Sequence, residues 1–297
     1  MTDHGSSWNL HEGDEIAPGL TAMRLLGGGS AYEAFLAFDE VLYTPVVVKV
    51  IRPDQVTDRQ SLRGLEREVS TLKLLNHPAI VRGFHAELEG ERPLVVLENI
   101  DGPRLSTLIR RHGPLPPQQL LPLALELAAA AHYMHHMDVV HLDIKPSNII
   151  MGSPAKLIDL SIARSVESAA RLDTALGTDA YMAPEQAVPG RGGHVPGAAS
   201  DMWGIGTSLF HAASGYRAFD RGVSDDDAAP EARWPQIAAL PCEMPHFVPA
   251  DIQKLVYALL DKNPAQRPVA AELAAMVEPI MSALPKPRLS GFKVSAT

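Results

Sequence analysis

Cysteine is nearly missing from this chain. The single Cys242 cannot form an intramolecular disulfide, which excludes a disulfide-stapled secreted scaffold and makes a reducing, cytoplasmic setting the expectation. With no activating base near it in sequence, Cys242 reads as a half-buried apolar residue and not as a reactive thiol. Positive charge is also scarce. The 26 Lys and Arg against 35 Asp and Glu leave a net charge of -9, which argues against a broad phosphate-binding face and so against nucleic acid as a partner. No apolar run reaches the roughly 18 residues that a bilayer span requires. The nearest, Leu120 to Ala131, is too short, carries Pro122 and Glu126, and reads as a buried core helix. The first residues are polar and acidic, without the basic and apolar regions of a signal peptide, so none is expected. His132, His135 and His136 have helical spacing, but neither an HExxH pattern nor a fourth ligand accompanies them, so packed or solvated histidines are expected and not a zinc site.

What is present is a folding chain of 297 residues, 46% apolar and 21% charged, long enough for one large domain or two lobes. Residues 1–18 read as a flexible lead-in. Short β-like runs follow: TAMRLL, YEAFLAF and TPVVVKVI, the first two joined by the glycine-rich LGGGSAY, whose backbone could lie close over a phosphate. Lys49 interrupts a run of valines. A lysine there either snorkels to the surface or meets an anion, and the helical segment from Gln60 to Leu75 carries Glu66 and Glu68 as candidate partners. RPLVVLEN gives another strand, ending at the Asp101-Gly102 turn that marks a hinge. Beyond it the periodicity becomes helical: RLSTLIRRHG, Pro117 to Met137, Ala198 to Gly215, Pro249 to Asp261 and Val269 to Leu284. The expectation is α+β, a β-rich first lobe and a mainly helical second one, with a ligand cleft between them.

The chemistry concentrates in HLDIKPSN, His141 to Asn148. Asp143, Lys145 and Asn148 offer a proton acceptor, a cation and a metal ligand within one short turn, the set that phosphoryl transfer from a nucleotide requires. Asp159 ends the apolar run AKLIDLS, 11 positions after Asn148 with a turn between, so a hairpin would bring both oxygens to one Mg2+.

Taken in order, these motifs resemble the bacterial Hanks-type serine/threonine protein kinases, from about Thr21 to Leu284. The resemblance implies a two-lobed kinase fold, with residues 19–101 as the small lobe, 102–284 as the large lobe and 285–297 as a disordered tail. It implies a nucleotide site for ATP built from Leu26, Gly27, Gly29, Ala34, Val47, Lys49, Glu68, Leu97, Glu98, Ile100, Ile150 and Asp159. In it Lys49 resembles the phosphate-holding lysine, Glu68 its helical partner, Leu97 the gatekeeper, and Glu98 and Ile100 the hinge. Asp143 would accept the substrate hydroxyl proton, Lys145 steady the γ-phosphate, and Asn148 and Asp159 hold Mg2+ or Mn2+. GTDAYMAPE, ending at Glu185, is similar to the substrate-docking loop, with Arg267 as partner of Glu185 and Asp201 as a brace of the catalytic loop. The implied partners are protein substrates with Ser or Thr acceptors and a regulatory protein.

Five letters depart from the family pattern, Ala34 among them at the valine that follows the glycine-rich turn. Leu142 stands where an arginine normally receives a phosphorylated activation segment, so activation independent of that phosphate is expected. Ser161 replaces a glycine and is expected to restrict the backbone beside Asp159, Leu160 replaces the phenylalanine, and Tyr32 is expected to add bulk at the tip of the glycine-rich turn. Two other functions are weighed against the kinase. One is a nucleotide-binding pseudokinase scaffold; the other is a small-molecule phosphotransferase, against which the APE segment, Asp201 and Arg267 speak.

Overall fold

A computed structural model describes residues 6–225 and 227–285. The small lobe is one antiparallel sheet of six strands, β1 (Glu15–Ala17), β2 (Leu20–Gly28), β3 (Tyr32–Asp39), β4 (Thr44–Ile51), β5 (Gly83–Glu87) and β6 (Leu94–Glu98), in the order β1-β2-β3-β4-β6-β5. Alternation decides what each strand offers. In β4, Val46, Val48 and Val50 are fully buried, while Val47 and Lys49 project from the opposite face toward the cleft. The valines flanking Lys49 are thus its support.

One helix packs against this sheet. In α1 (Arg59–Leu74), Leu65, Val69 and Leu72 form a buried stripe at helical spacing, and Glu68 lies within it, 1% exposed, whereas Glu66 is exposed. Asp58 caps the helix by accepting from the Ser61 amide at 2.7 Å, a contact worth about 1 kcal/mol.

The large lobe is built on α2 (Leu105–His112), α3 (Pro117–His136), α6 (Ala198–Ser214), α8 (Ala250–Leu259) and α9 (Ala270–Ala283), with short α4 (Val166–Ala170), α5 (Pro184–Ala187) and α7 (Pro230–Arg233) along the activation segment and its sequel. α6 is buried along almost its whole length, and its polar side chains, Ser200 and Asp201 among them, are buried with it. Its Gly204 is dictated by contact: a Cβ there would lie 2.9 Å from the Ile144 carbonyl oxygen, so only glycine lets the helix approach the catalytic loop. Four two-residue strands frame that loop. β7 (Val139–Val140) pairs with β10 (Arg164–Ser165), and β8 (Ile149–Ile150) with β9 (Lys156–Leu157).

Two expectations need correction here. The lead-in of residues 1–18 is structured from Ser6 onward: Trp8 and Leu10 pack on the small-lobe core, and Glu15–Ala17 is a strand. An indole and a leucine against one face of the sheet bury apolar surface, which outweighs the local polarity that suggested disorder. Tyr32 does not add bulk at the turn's tip either. It begins β3, points inward, and donates from its hydroxyl to the Ser61 carbonyl of α1 at 3.1 Å. Of the tail, only Pro285 lies within the described residues.

Candidate active site

A cleft of about 660 Å3 opens between the lobes, lined from above by Leu26, Ala34, Val47 and Lys49 and from below by Asn148, Ile150 and Asp159, with Leu97, Glu98 and Ile100 at its back. That size suits a nucleotide. Gly29 also lines it, and Gly27 adopts a φ of 130° that disfavours any side chain. The glycine with least freedom is the one between them. A Cβ on Gly28 would sit 2.1 Å from the Tyr32 carbonyl oxygen, so the hairpin cannot close with another residue there.

Lys49 joins the lobes. Its ammonium donates to Glu68 Oε2 at 2.7 Å and to Asp159 Oδ1 at 2.8 Å, and the Tyr32 ring lies 4.4 Å from it. Burial alone would lower the Lys49 pKa, but two carboxylates outweigh it and push the group above its usual value. Burial likewise opposes ionisation of Asp159, and Lys49 together with the Ser161 hydroxyl overcomes it, holding Asp159 well below the usual carboxylate range. Lys49 and Asp159 are therefore charged at neutral pH, whereas burial pushes the Glu68 carboxyl above the usual carboxylate range against the pull of Lys49. The expected constraint at Ser161 is not where the strain falls: Asp159 itself has the positive φ, 66°, and Ser161 donates to its Oδ1 at 2.8 Å. Arg67 of α1 holds the same segment by donating to the Ser161 carbonyl at 3.1 Å.

The catalytic loop is assembled around Asp143. Lys145 Nζ donates to Asp143 Oδ2 at 2.7 Å and Asn148 Nδ2 to the same oxygen at 3.0 Å, while the Thr178 hydroxyl donates to Oδ1 at 2.7 Å. Thr178 also takes a hydrogen bond from Lys145 at 2.5 Å, so the segment of residues 177–185 is fastened to both groups. The expected hairpin forms: β8 pairs with β9, the Ile158 amide bonds the Asn148 carbonyl at 2.9 Å, and Asn148 and Asp159 face one cleft.

A divalent ion fits this donor set. The Asn148 amide nitrogen is committed to Asp143, which leaves Oδ1 as its acceptor, and Asp159 Oδ2 carries no partner among the described residues. Two hard oxygens and no third clustered carboxylate or imidazole among the described residues suit an ion that keeps waters and binds phosphate, as Mg2+ does.

The anchors lie beneath. Asp201 at the first turn of α6 accepts from the backbone amides of His141 at 2.9 Å and Leu142 at 2.8 Å, fixing the loop from below. Its remaining partner is His135 Nε2 at 2.9 Å, which accounts for one histidine of the HYMHHM run; His132 and His136 are exposed. Glu185 and Arg267 form a two-point pair at 2.6 and 2.9 Å, both side chains almost wholly buried, with Ser200 completing it at 2.7 Å. Leu142 is buried with a φ of 64° and packs with Val140, Ile162, Val166, Ala169, Leu172 and Leu176. The activation segment thus rests on hydrocarbon at the position where the family pattern has a cation.

Sequence reasoning passed over Gln186 and Glu33. Gln186 Nε2 donates to the carbonyls of Leu142 at 2.8 Å and Leu176 at 3.0 Å, and nothing in the local sequence announces it. Glu33 was legible: in YEAFLAF it alternates with Phe35 and Ala37, which places a carboxylate on the core face.

An ion-paired lysine bridging two lobes above an acid, a lysine and an amide on one turn defines a phosphotransfer cleft of the protein kinase type. The protein kinase domain model matches residues 20–277, and the chain belongs to that family. Within it the chain is similar to bacterial Hanks-type serine/threonine kinases. It is 32% identical to serine/threonine-protein kinase PknB of Mycobacterium leprae, over 84% of this chain and 41% of the relative. It is 34% identical to the probable serine/threonine-protein kinase PkwA of Thermomonospora curvata, over 85% and 33%, and 30% identical to PrkC of Bacillus subtilis, over 88% and 40%. The chain thus spans less than half the length of these relatives. No helix among the described residues is long and apolar enough to cross a membrane.

Proposed function

We propose that this chain transfers the γ-phosphoryl group of ATP to serine and threonine hydroxyls of protein substrates, with Mg2+ or Mn2+ as the ion. The observation that carries this reading is the closed set of contacts Glu68–Lys49–Asp159 beside an Asp143 already held by Lys145, Asn148 and Thr178. Phosphoryl transfer through a loose transition state needs positioning and charge stabilisation more than covalent help. Lys49 meets the nucleotide phosphates from the small lobe in this reading. Asp143 accepts the proton of the incoming hydroxyl at its carboxylate, and the Lys145 ammonium offsets charge on the transferring group. A bound Mg2+, held by Asp159 and Asn148, would supply electrostatic neutralisation of the phosphate oxygens. Leu26, Ala34, Val47, Leu97 and Ile150 offer an apolar slot for the base, with the backbone at Glu98 and Ile100 beside it.

The scaffold alternative is not favoured. Ser161 supports Asp159 by a hydrogen bond, Tyr32 turns away from the tip, and Leu142 leaves the loop in place. Incubation with labelled ATP and Mg2+, alone and with a generic basic protein, tests the proposal. Wild-type is expected to incorporate label, and Asp143→Asn to lose about 100- to 10,000-fold in rate. An unlabelled wild-type reaction overturns it.

A further inference from the structure

Residues 6–10 run along the outside of the small lobe and reach the glycine-rich turn through two buried charges. Glu33 is 1% exposed, and two of the three donors it takes among the described residues come from this segment: the Ser7 hydroxyl at 2.6 Å and the Trp8 amide at 3.0 Å, beside Arg52 Nη1 at 3.4 Å. Arg52, itself buried, donates from Nη1 to the Ser6 carbonyl at 3.3 Å and from Nε to the Gly29 carbonyl at 2.8 Å. The Trp8 indole donates to the carbonyl of Ile51 at 2.7 Å, at the end of the strand that carries Lys49. Arg92 covers the Trp8 ring at 4.8 Å.

We propose that residues 6–10 are a strap that positions the glycine-rich turn and so sets the affinity for nucleotide, with Ser7 as its release point. The inference rests on the nucleotide-binding reading of the cleft. While the strap supplies two donors to Glu33, the Arg52 guanidinium can extend its Nε to Gly29. With the strap lifted, a buried carboxylate short of donors competes for that guanidinium, and Gly29 loses its outer support. Negative charge at Ser7 would face Glu33 directly and lift the strap by like-charge repulsion. A purely structural role, in which Trp8 and Leu10 only cover the face of the sheet, would lower stability and leave the turn unchanged.

The full chain and its Ser7→Ala, Ser7→Asp and Trp8→Ala variants are compared for binding of a non-hydrolysable ATP analogue with Mg2+ by calorimetry, and for amide exchange at residues 27–33. Ser7→Asp and Trp8→Ala are expected to weaken binding by about three- to ten-fold, ten-fold being about 1.4 kcal/mol, with faster exchange in the turn and an unchanged KM for protein substrate; Ser7→Ala is expected to fall between them and wild-type. Should Trp8→Ala fail to fold, the Ser7 pair decides. A folded Ser7→Asp that binds as tightly as wild-type, with unchanged exchange at residues 27–33, overturns the strap, whatever its melting temperature. A wild-type that binds no nucleotide overturns the proposed function, and the strap's role with it.

Discussion

Gln186 holds Leu142 by its backbone: the side-chain amide of one donates to the carbonyl oxygen of the other at 2.8 Å, while the same nitrogen bonds the Leu176 carbonyl at 3.0 Å. One buried amide therefore ties the catalytic loop to the approach of the substrate-docking segment. Replacing it by Gln186→Leu keeps bulk but strands two carbonyls. The expected cost is about 1 to 3 kcal/mol in stability, together with a raised KM for protein substrate and an unchanged nucleotide affinity, read by steady-state kinetics and denaturant unfolding.

Leu142 packs with the apolar side chains of the segment that follows, Ile162, Val166 and Leu172 among them, so order there is expected not to depend on a phosphate. Phosphatase treatment is expected to leave most transfer activity, and Thr174→Ala to leave it nearly unchanged, since Thr174 is exposed. Nearly complete loss in both would overturn phosphate independence. Leu142→Arg would place an unpaired charge in the cluster and is expected to destabilise by several kcal/mol, measured by unfolding.

Acid should loosen the bridge between lobes. The folded-state pKa of Asp159 lies below its ordinary 3.8, so its contribution to stability is complete above that value and is lost as pH falls toward the depressed one. Asp159 is open to solvent over 36% of its side chain, which screens the effect. Unfolding curves between pH 6 and 3 are expected to fall less steeply for Asp159→Asn than for wild-type, and that variant is expected to start lower at pH 7.

The Glu185 and Arg267 pair has no solvent to take over for a missing partner. Arg267→Ala is expected to cost about 3 to 5 kcal/mol, seen as a fall in melting temperature, because among the described residues Glu185 would keep Ser200 as its side-chain partner. Removing both charges is expected to cost less than the sum of the single changes.

The two-lobed plan was readable because its signals are periodic, alternation in YEAFLAF and TPVVVKVI and helical spacing beyond Asp101; the choice of Glu68 over Glu66 came from the family resemblance, and Glu68 lies on the buried face of α1. Asp143, Lys145 and Asn148 were readable because they fall on one turn. Gln186 and the pairing of His135 with Asp201 were not, since each depends on elements that only tertiary packing brings together. The lead-in was misjudged for a related reason. Its polar letters describe the chain alone, whereas Trp8 answers to the Ile51 carbonyl and the Arg92 guanidinium across the sheet.

Leu142 also bears on how this kinase domain answers its ionic surroundings. A guanidinium holding a phosphate near the surface is screened over about 10 Å at 0.1 M salt and loosens as salt rises. The hydrocarbon contacts of Leu142, Ala169 and Val140 carry no such dependence, and excluded salts such as sulfate strengthen them. The support beneath residues 162–176 of this kinase domain is therefore expected to keep its shape across changes in ionic strength.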